Sequence, residues 1–112
     1  MKSNKVFLLH IRDAIRDIEK FVKDIPEKEF FKNHMLQSAV IRQIEIIGEA
    51  TKNISEEFKN KHTDIPWKDI AGMRDILIHE YFRVDTKAVW KVIKEDIPDL
   101  KQKFMKIIDN YE

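Results

Sequence analysis

One short stretch of the chain sets three reactive side chains at fixed spacing: Arg74-Asp-Ile-Leu-Ile-His79-Glu-Tyr81. A guanidinium fork matches phosphate geometry and stabilises negative charge that grows in a transition state. A histidine titrating near neutrality serves as acid or base. Asp75 stands four residues before His79, so on a helix the two share a face, and its carboxylate would orient the imidazole and favour its charged form. Each residue also has a plainer reading. Arg74 can be a structural arginine paired with Glu45 or Glu49, His79 an ordinary histidine near a helix end, and Tyr81 a core tyrosine with its hydroxyl at the rim.

Other chemistries are poorly supplied. His10, His34, His62 and His79 are far apart in sequence, and neither HExxH nor HxxEH occurs. Walker and GxGxxG loops are absent too, so neither a metal nor a nucleotide cofactor is expected. The absence of cysteine removes disulfides, thiolate nucleophiles and thiolate metal sites together.

The elements that carry these residues are helical. In 112 residues, 43% are hydrophobic and 37% charged, which gives one compact domain over residues 1–112 with a core. Only 2 glycines, 3 prolines and 3 serines accompany 17 isoleucines and 16 lysines, too few turn formers for many short strands. A first helix runs from Ser3 or Asn4 to Asp24, on a seam of Leu8, Ile11, Ile15, Ile18, Val22 and Ile25. Pro26 ends it. A second spans Asn33 to Asn53 with Leu36, Val40, Ile44, Ile47, Ala50 and Ile54. Gly48 in mid-helix costs about 1 kcal/mol against alanine, which points to close packing against a neighbour. Ser55 caps a short helix. The third helix opens with Pro66 and runs to Tyr81, and the fourth follows an Asp85 cap to Tyr111, with Pro98 kinking it. The expected fold is all-α, an antiparallel up-and-down four-helix bundle with an extra short helix.

The third helix is apolar on two sides. Trp67, Ile70, Arg74, Leu77 and Tyr81 form one seam, and Gly72, Ile76 and His79 the opposite flank. Such a helix is wedged between its own bundle and something else, most simply a second copy, so a homodimer through this helix is expected. On a helix Arg74 and His79 lie about 140° apart, so a site using both is a cleft that the helix borders.

The runs AVIRQIEIIGEATKNISEEF, IPWKDIAGMRDILIHEYFRVD and VWKVIKEDIPDLK resemble the HepT-like branch of the HEPN (higher eukaryotes and prokaryotes nucleotide-binding) domain family, from about His10 to Phe104. The family signature is Arg, four residues, His, one residue, Tyr, matched by Arg74, His79 and Tyr81. The resemblance implies a dimeric, metal-independent ribonuclease, the toxin of a HepT/MntA toxin–antitoxin pair. It implies that a minimal nucleotidyltransferase antitoxin, MntA-like, silences the toxin by AMPylation of Tyr81. In many HEPN domains the residue after the arginine is Asn; here it is Asp75, and an added negative charge near an RNA backbone would weaken binding. The alternative is a non-catalytic nucleotide- or substrate-binding subunit of a nucleotidyltransferase complex; a further one is a dimerisation module with a decayed site.

Cleaving RNA needs the 2′-OH deprotonated, the phosphate charge stabilised and the leaving 5′-oxygen protonated. One chain offers one motif histidine, and a dimer offers an acid and a base together. Arg83, Lys87, Lys91 and Lys94, with Lys101 beyond, give a weak track for an RNA backbone, equally readable as a solvated lysine face beside Glu95, Asp96 and Asp99. Trp67 and Trp90 read as core. The net charge is +1, so no global field advertises nucleic acid or membrane. The N-terminal run MKSNKVFLLHIRD is too short for a signal peptide or a span of about 18 apolar residues, and the expected location is cytoplasmic.

Overall fold

Leu8, Ile11, Ile15, Ile18 and Val22 recur at steps of three and four, and α1 (Asn4–Val22) buries all five. The structure, a computed structural model, describes residues 3–80 and 83–111, and at positions 76, 78–80 and 83–84 the backbone alone. After α1 the chain turns through Asp24, whose φ of 59° is one that aspartate tolerates, and Pro26 precedes the single turn α2 (Glu27–Lys32). Phe30 of α2 is fully buried, and its carbonyl accepts from Nε2 of the buried Gln37 at 2.9 Å.

Asn33 caps α3 (His34–Lys52), its Oδ1 accepting the Leu36 N–H at 3.0 Å. Ser55 likewise caps α4 (Glu56–Lys61). Asn4 does something other than cap α1. Its side chain donates to Ser55 Oγ and accepts from the Ser55 N–H, both at 3.0 Å, clasping the start of α1 to the start of α4. Pro66 precedes α5 (Trp67–Ala71) rather than occupying its first turn. Trp67 packs on Phe58 and Phe104 and donates its indole N–H to the His62 carbonyl.

The expected long third helix is the main departure. It bends at Gly72 into α5 and α6 (Met73–Leu77) and stops there. Strand β1 (Ile78–Glu80) then pairs antiparallel with β2 (Arg83–Val84), Ile78 opposite Val84 and Glu80 opposite Arg83. The reason is local and non-local at once. Ile78, Tyr81, Phe82 and Val84 favour extended backbone, and the Leu77 carbonyl, which a continuing helix would bond to residue 81, accepts the Asp85 N–H at 2.8 Å.

Asp85 also caps α7 (Thr86–Lys91) through the Ala88 N–H. A wide turn over Val92–Asp96, in which the Ile97 N–H reaches the Val92 carbonyl, joins α7 to α8 (Ile97–Asp109). Pro98 has no N–H and crowds the carbonyl four residues before it, so the backbone ladder widens ahead of it. The core stands between α1, α3 and α8, where Leu8, Ile11, Ile15, Ile44, Ile47 and Phe104 are fully buried. The class is all-α, with one small strand pair at the motif. No helix among the described residues is long and apolar enough to cross a membrane.

Candidate functional site

The break after Leu77 changes how the motif is presented. Arg74 and Asp75 lie on α6, whereas His79 lies on β1, so the 140° helical separation and the shared face of Asp75 and His79 do not describe this backbone. The side chains of His79 and Arg83, and Tyr81 altogether, lie outside the described residues. The wedge argument for a second copy also assumed an unbroken helix. Ile70, Met73 and Leu77 are buried within this chain.

Arg74 is anchored by a carboxylate of α3. Its Nε donates to Glu45 Oε2 of α3 at 2.9 Å, and the arginine side chain is 50% exposed against 31% for the glutamate. The pairing expected of a structural arginine is therefore present, yet half of the side chain faces solvent. Asp75 is exposed, with Oδ1 3.8 Å from Arg74 Nη1, which places this carboxylate beside the arginine.

A cleft of about 310 Å³ opens here between α3 and the α5–α6 bend, bordered by Arg42, Glu45, Glu49 and Lys52 on one side and by Arg74 and Asp75 on the other. Gly48 forms part of its wall. A Cβ at that position would stand 3.4 Å from the Ala71 carbonyl oxygen and 3.5 Å from that of Ile70, so the two backbones approach as the sequence suggested. Glu49 pairs loosely with Lys52 at 3.9 Å, while Arg42 is exposed and makes no ion pair among the described residues. Arg42, Glu49 and Lys52 were absent from the sequence-based site. Their signal was the 3, 4, 3 spacing of positions 42, 45, 49 and 52, a charged stripe on one side of α3 beside its apolar one.

A larger cleft, about 490 Å³, lies between the α5–α6 segment and α7–α8. Its lining is apolar at Ile70, Met73, Leu77, Val92 and Leu100, and Asp69, Asp96 and Asp99 stand around it with Lys91. Burial, and then the nearby Glu95 charge, push the Asp96 carboxyl above the usual aspartate value, Lys91 acts the other way, and Asp99 adds to the rise.

The lysine track is partly committed. Lys101 Nζ pairs with Glu19 of α1 at 2.9 Å, and Lys94 Nζ sits 4.6 Å from the Trp90 ring centroid, a cation–π contact. Lys87 and Lys91 are exposed. Trp90 itself packs on Phe30. Among the described residues no group of three or more His, Cys, Asp or Glu is placed to hold a metal ion.

The chain matches the model of the family described as "Ribonuclease HepT-like" over residues 11–107. It is 51% identical over 106 residues to a protein of Thermococcus cleftensis named a probable ribonuclease HepT, covering 95% of this chain and 96% of that one. A candidate RNase of Caldanaerobacter subterraneus is 44% identical over 108 residues, covering 96% of each. A Methanocaldococcus jannaschii protein, named as both a gamma-glutamylcyclotransferase and a candidate RNase, is 50% identical over 111 residues. That alignment takes in 99% of this chain, which spans only 50% of the relative's length. No solved structure matches the chain significantly. With the match running through α1, the charged stripe of α3 and the whole motif segment, the chain belongs to the HepT-like ribonuclease family.

Proposed function

We propose that this chain is a metal-independent RNA endonuclease in which Arg74 and His79 carry the reaction. The observation behind the reading is the half-exposed Arg74 side chain, anchored by Glu45 and lining a cleft, five residues before His79 in a chain of this family. His79 takes the proton of the 2′-OH or gives one to the departing 5′-oxygen, and Arg74 stabilises charge on the phosphate as the 2′-oxygen attacks. A single motif histidine cannot do both at one moment. A homodimer, with two motifs across a twofold axis, supplies the acid and the base. Asp75 supports the pair from beside Arg74, and Arg83, Lys87, Lys91 and Lys94 give the RNA backbone weak additional attraction.

Within the same reading the chain is the toxin of a toxin–antitoxin pair, held silent by a nucleotidyltransferase partner. The phenol oxygen of Tyr81 attacks the α-phosphate of ATP, pyrophosphate leaves, and AMP remains on the tyrosine two residues from His79.

The test is cleavage of transfer and messenger RNA by the purified protein in excess EDTA, beside His79→Ala prepared identically. Masses are checked first, because AMP on Tyr81 would conceal activity. Cleavage by the unmodified wild type, reduced at least ~100-fold in His79→Ala, is the expected outcome. Intact RNA with unmodified wild type would sink the ribonuclease reading and leave the nucleotide-binding subunit in its place.

A further inference from the structure

Glu45 is the residue of α3 that the arginine of the motif actually meets. Its Oε2 accepts from Arg74 Nε at 2.9 Å, and the hydrogen bond uses only the inner nitrogen of the guanidinium. An arginine offers five N–H donors in a rigid plane, and the Asp75 carboxylate stands 3.8 Å from Nη1, beyond hydrogen-bond distance, so the outer Nη edge keeps its donors for a planar, bidentate partner such as a phosphodiester. Folding stability is a poor explanation for the pair. Arg74 is half exposed and Glu45 about a third exposed, at 50% and 31%, and ion pairs open to solvent in this way add little. What the contact does supply is order: a long side chain with many rotamers is held in one place on a short helix.

The helix beneath Glu45 is closely packed. One turn along α3, Gly48 lets the Ile70 and Ala71 carbonyls come to within 3.5 Å and 3.4 Å of where a Cβ would stand. Ile44 and Ile47, flanking Glu45, are fully buried. This helix is packed directly against the end of α5, which leads through Gly72 into α6.

We propose that Glu45 is a positioning residue for RNA cleavage: it holds Arg74 through Nε and so aims the Nη edge at the phosphodiester. This rests on the ribonuclease reading above. Its own negative charge would otherwise oppose RNA, which gives the proposal a sign that can fail.

The measurement is steady-state cleavage by Glu45→Ala and Glu45→Gln beside wild type, together with the Arg74 Nε–H resonance of the ¹⁵N-labelled proteins. The alanine variant is expected to lose roughly 10- to 100-fold in kcat with KM within about threefold of wild type, because geometry rather than substrate attraction is lost. Glu45→Gln, whose amide oxygen still accepts from Nε, recovers most of that loss. The Arg74 Nε–H signal, protected in wild type and in Glu45→Gln, broadens or vanishes in Glu45→Ala. If Glu45→Ala cuts as fast as wild type, or faster, the carboxylate merely opposes RNA and the proposal falls. Loss confined to KM, or no rescue by glutamine, overturns it as well. A wild type that cuts nothing removes the ribonuclease reading itself, and that is known before any Glu45 variant is assayed.

Discussion

The α5–α6 segment separates two clefts that share almost no chemistry. On the α3 side, three cations and three carboxylates surround a small opening, and Arg74 stands in it with half of its surface in water. On the α7–α8 side the space is larger, lined with isoleucine, leucine, methionine and valine, and carries three aspartates against one lysine. Size alone would favour the second as a ligand site. Charge argues otherwise for a polyanion, since each cleft carries three carboxylates but the arginine-bearing one balances them with three cations and the larger one has a single lysine. The lesson is that the residue carrying the chemistry, not the volume beside it, identifies the candidate site.

The strongest way to break the comparison is to close the smaller cleft from its wall. Gly48→Leu places carbons beyond a Cβ that already touches the Ala71 carbonyl, so α3 and α5 are forced apart. Overpacking of this kind costs about 1–3 kcal/mol, and the expected result is a Tm lower by roughly 5–15 °C with cleavage largely lost. Gly48→Ala serves as the control. Its single methyl makes ordinary contact and gains about 1 kcal/mol of helix propensity, so Tm should hold or rise slightly in a thermal melt.

A smaller change sharpens the electrostatic half of the contrast. Asp69→Asn with Asp99→Asn should lower KM for RNA by about two- to threefold at low salt, whereas Arg42→Ala in the other cleft should raise it. Both effects should fade as salt is added. If the two changes act in the same direction, RNA does not distinguish the clefts and the assignment by charge fails.

The smallest effect concerns Asp96. A carboxyl raised in the folded state binds its proton more tightly there than in the unfolded chain, so it lowers stability as pH climbs through the carboxylate range. Asp96→Asn lacks that penalty. It should melt about 1 °C higher than wild type at neutral pH, and the gain should shrink as pH falls through the folded-state value and be gone below both titrations. A gain that persists unchanged in acid would mean that the aspartate destabilises through packing, not charge.

Much of this was legible before any coordinates. The α1 seam, the caps Ser55 and Asp85, the start of α3 at Asn33 and the tight packing at Gly48 follow from residue type and spacing, which report on contacts within a turn or along a face. The sequence leaves the partner of Arg74 open between Glu45 and Glu49, and the structure gives Glu45. The end of the motif helix did not follow. Its apolar spacing continues in helical phase to Tyr81, whereas the Leu77 carbonyl accepts the Asp85 N–H, a contact between residues that periodicity does not link. Pro98 interrupts the ladder without ending the helical pattern, as its in-phase stripe implies, and the structure adds the wider turn over Val92–Asp96 that accommodates it. Of the charged stripe of α3, Glu45 and Glu49 are legible as partners for Arg74, but Arg42 and Lys52 are not, because charges at helical spacing are usually solvated and the facing helix gives them their place in the cleft.

The clasp between Asn4 and Ser55 has a consequence for the order of assembly. It joins positions 51 residues apart with two hydrogen bonds, far too little to offset the entropy of closing so long a loop alone. It depends on the packing of α1 against α3 to bring its halves together. Asn4→Ala should therefore act mainly on the opening of the finished molecule, raising the unfolding rate more than it lowers the folding rate in a chevron.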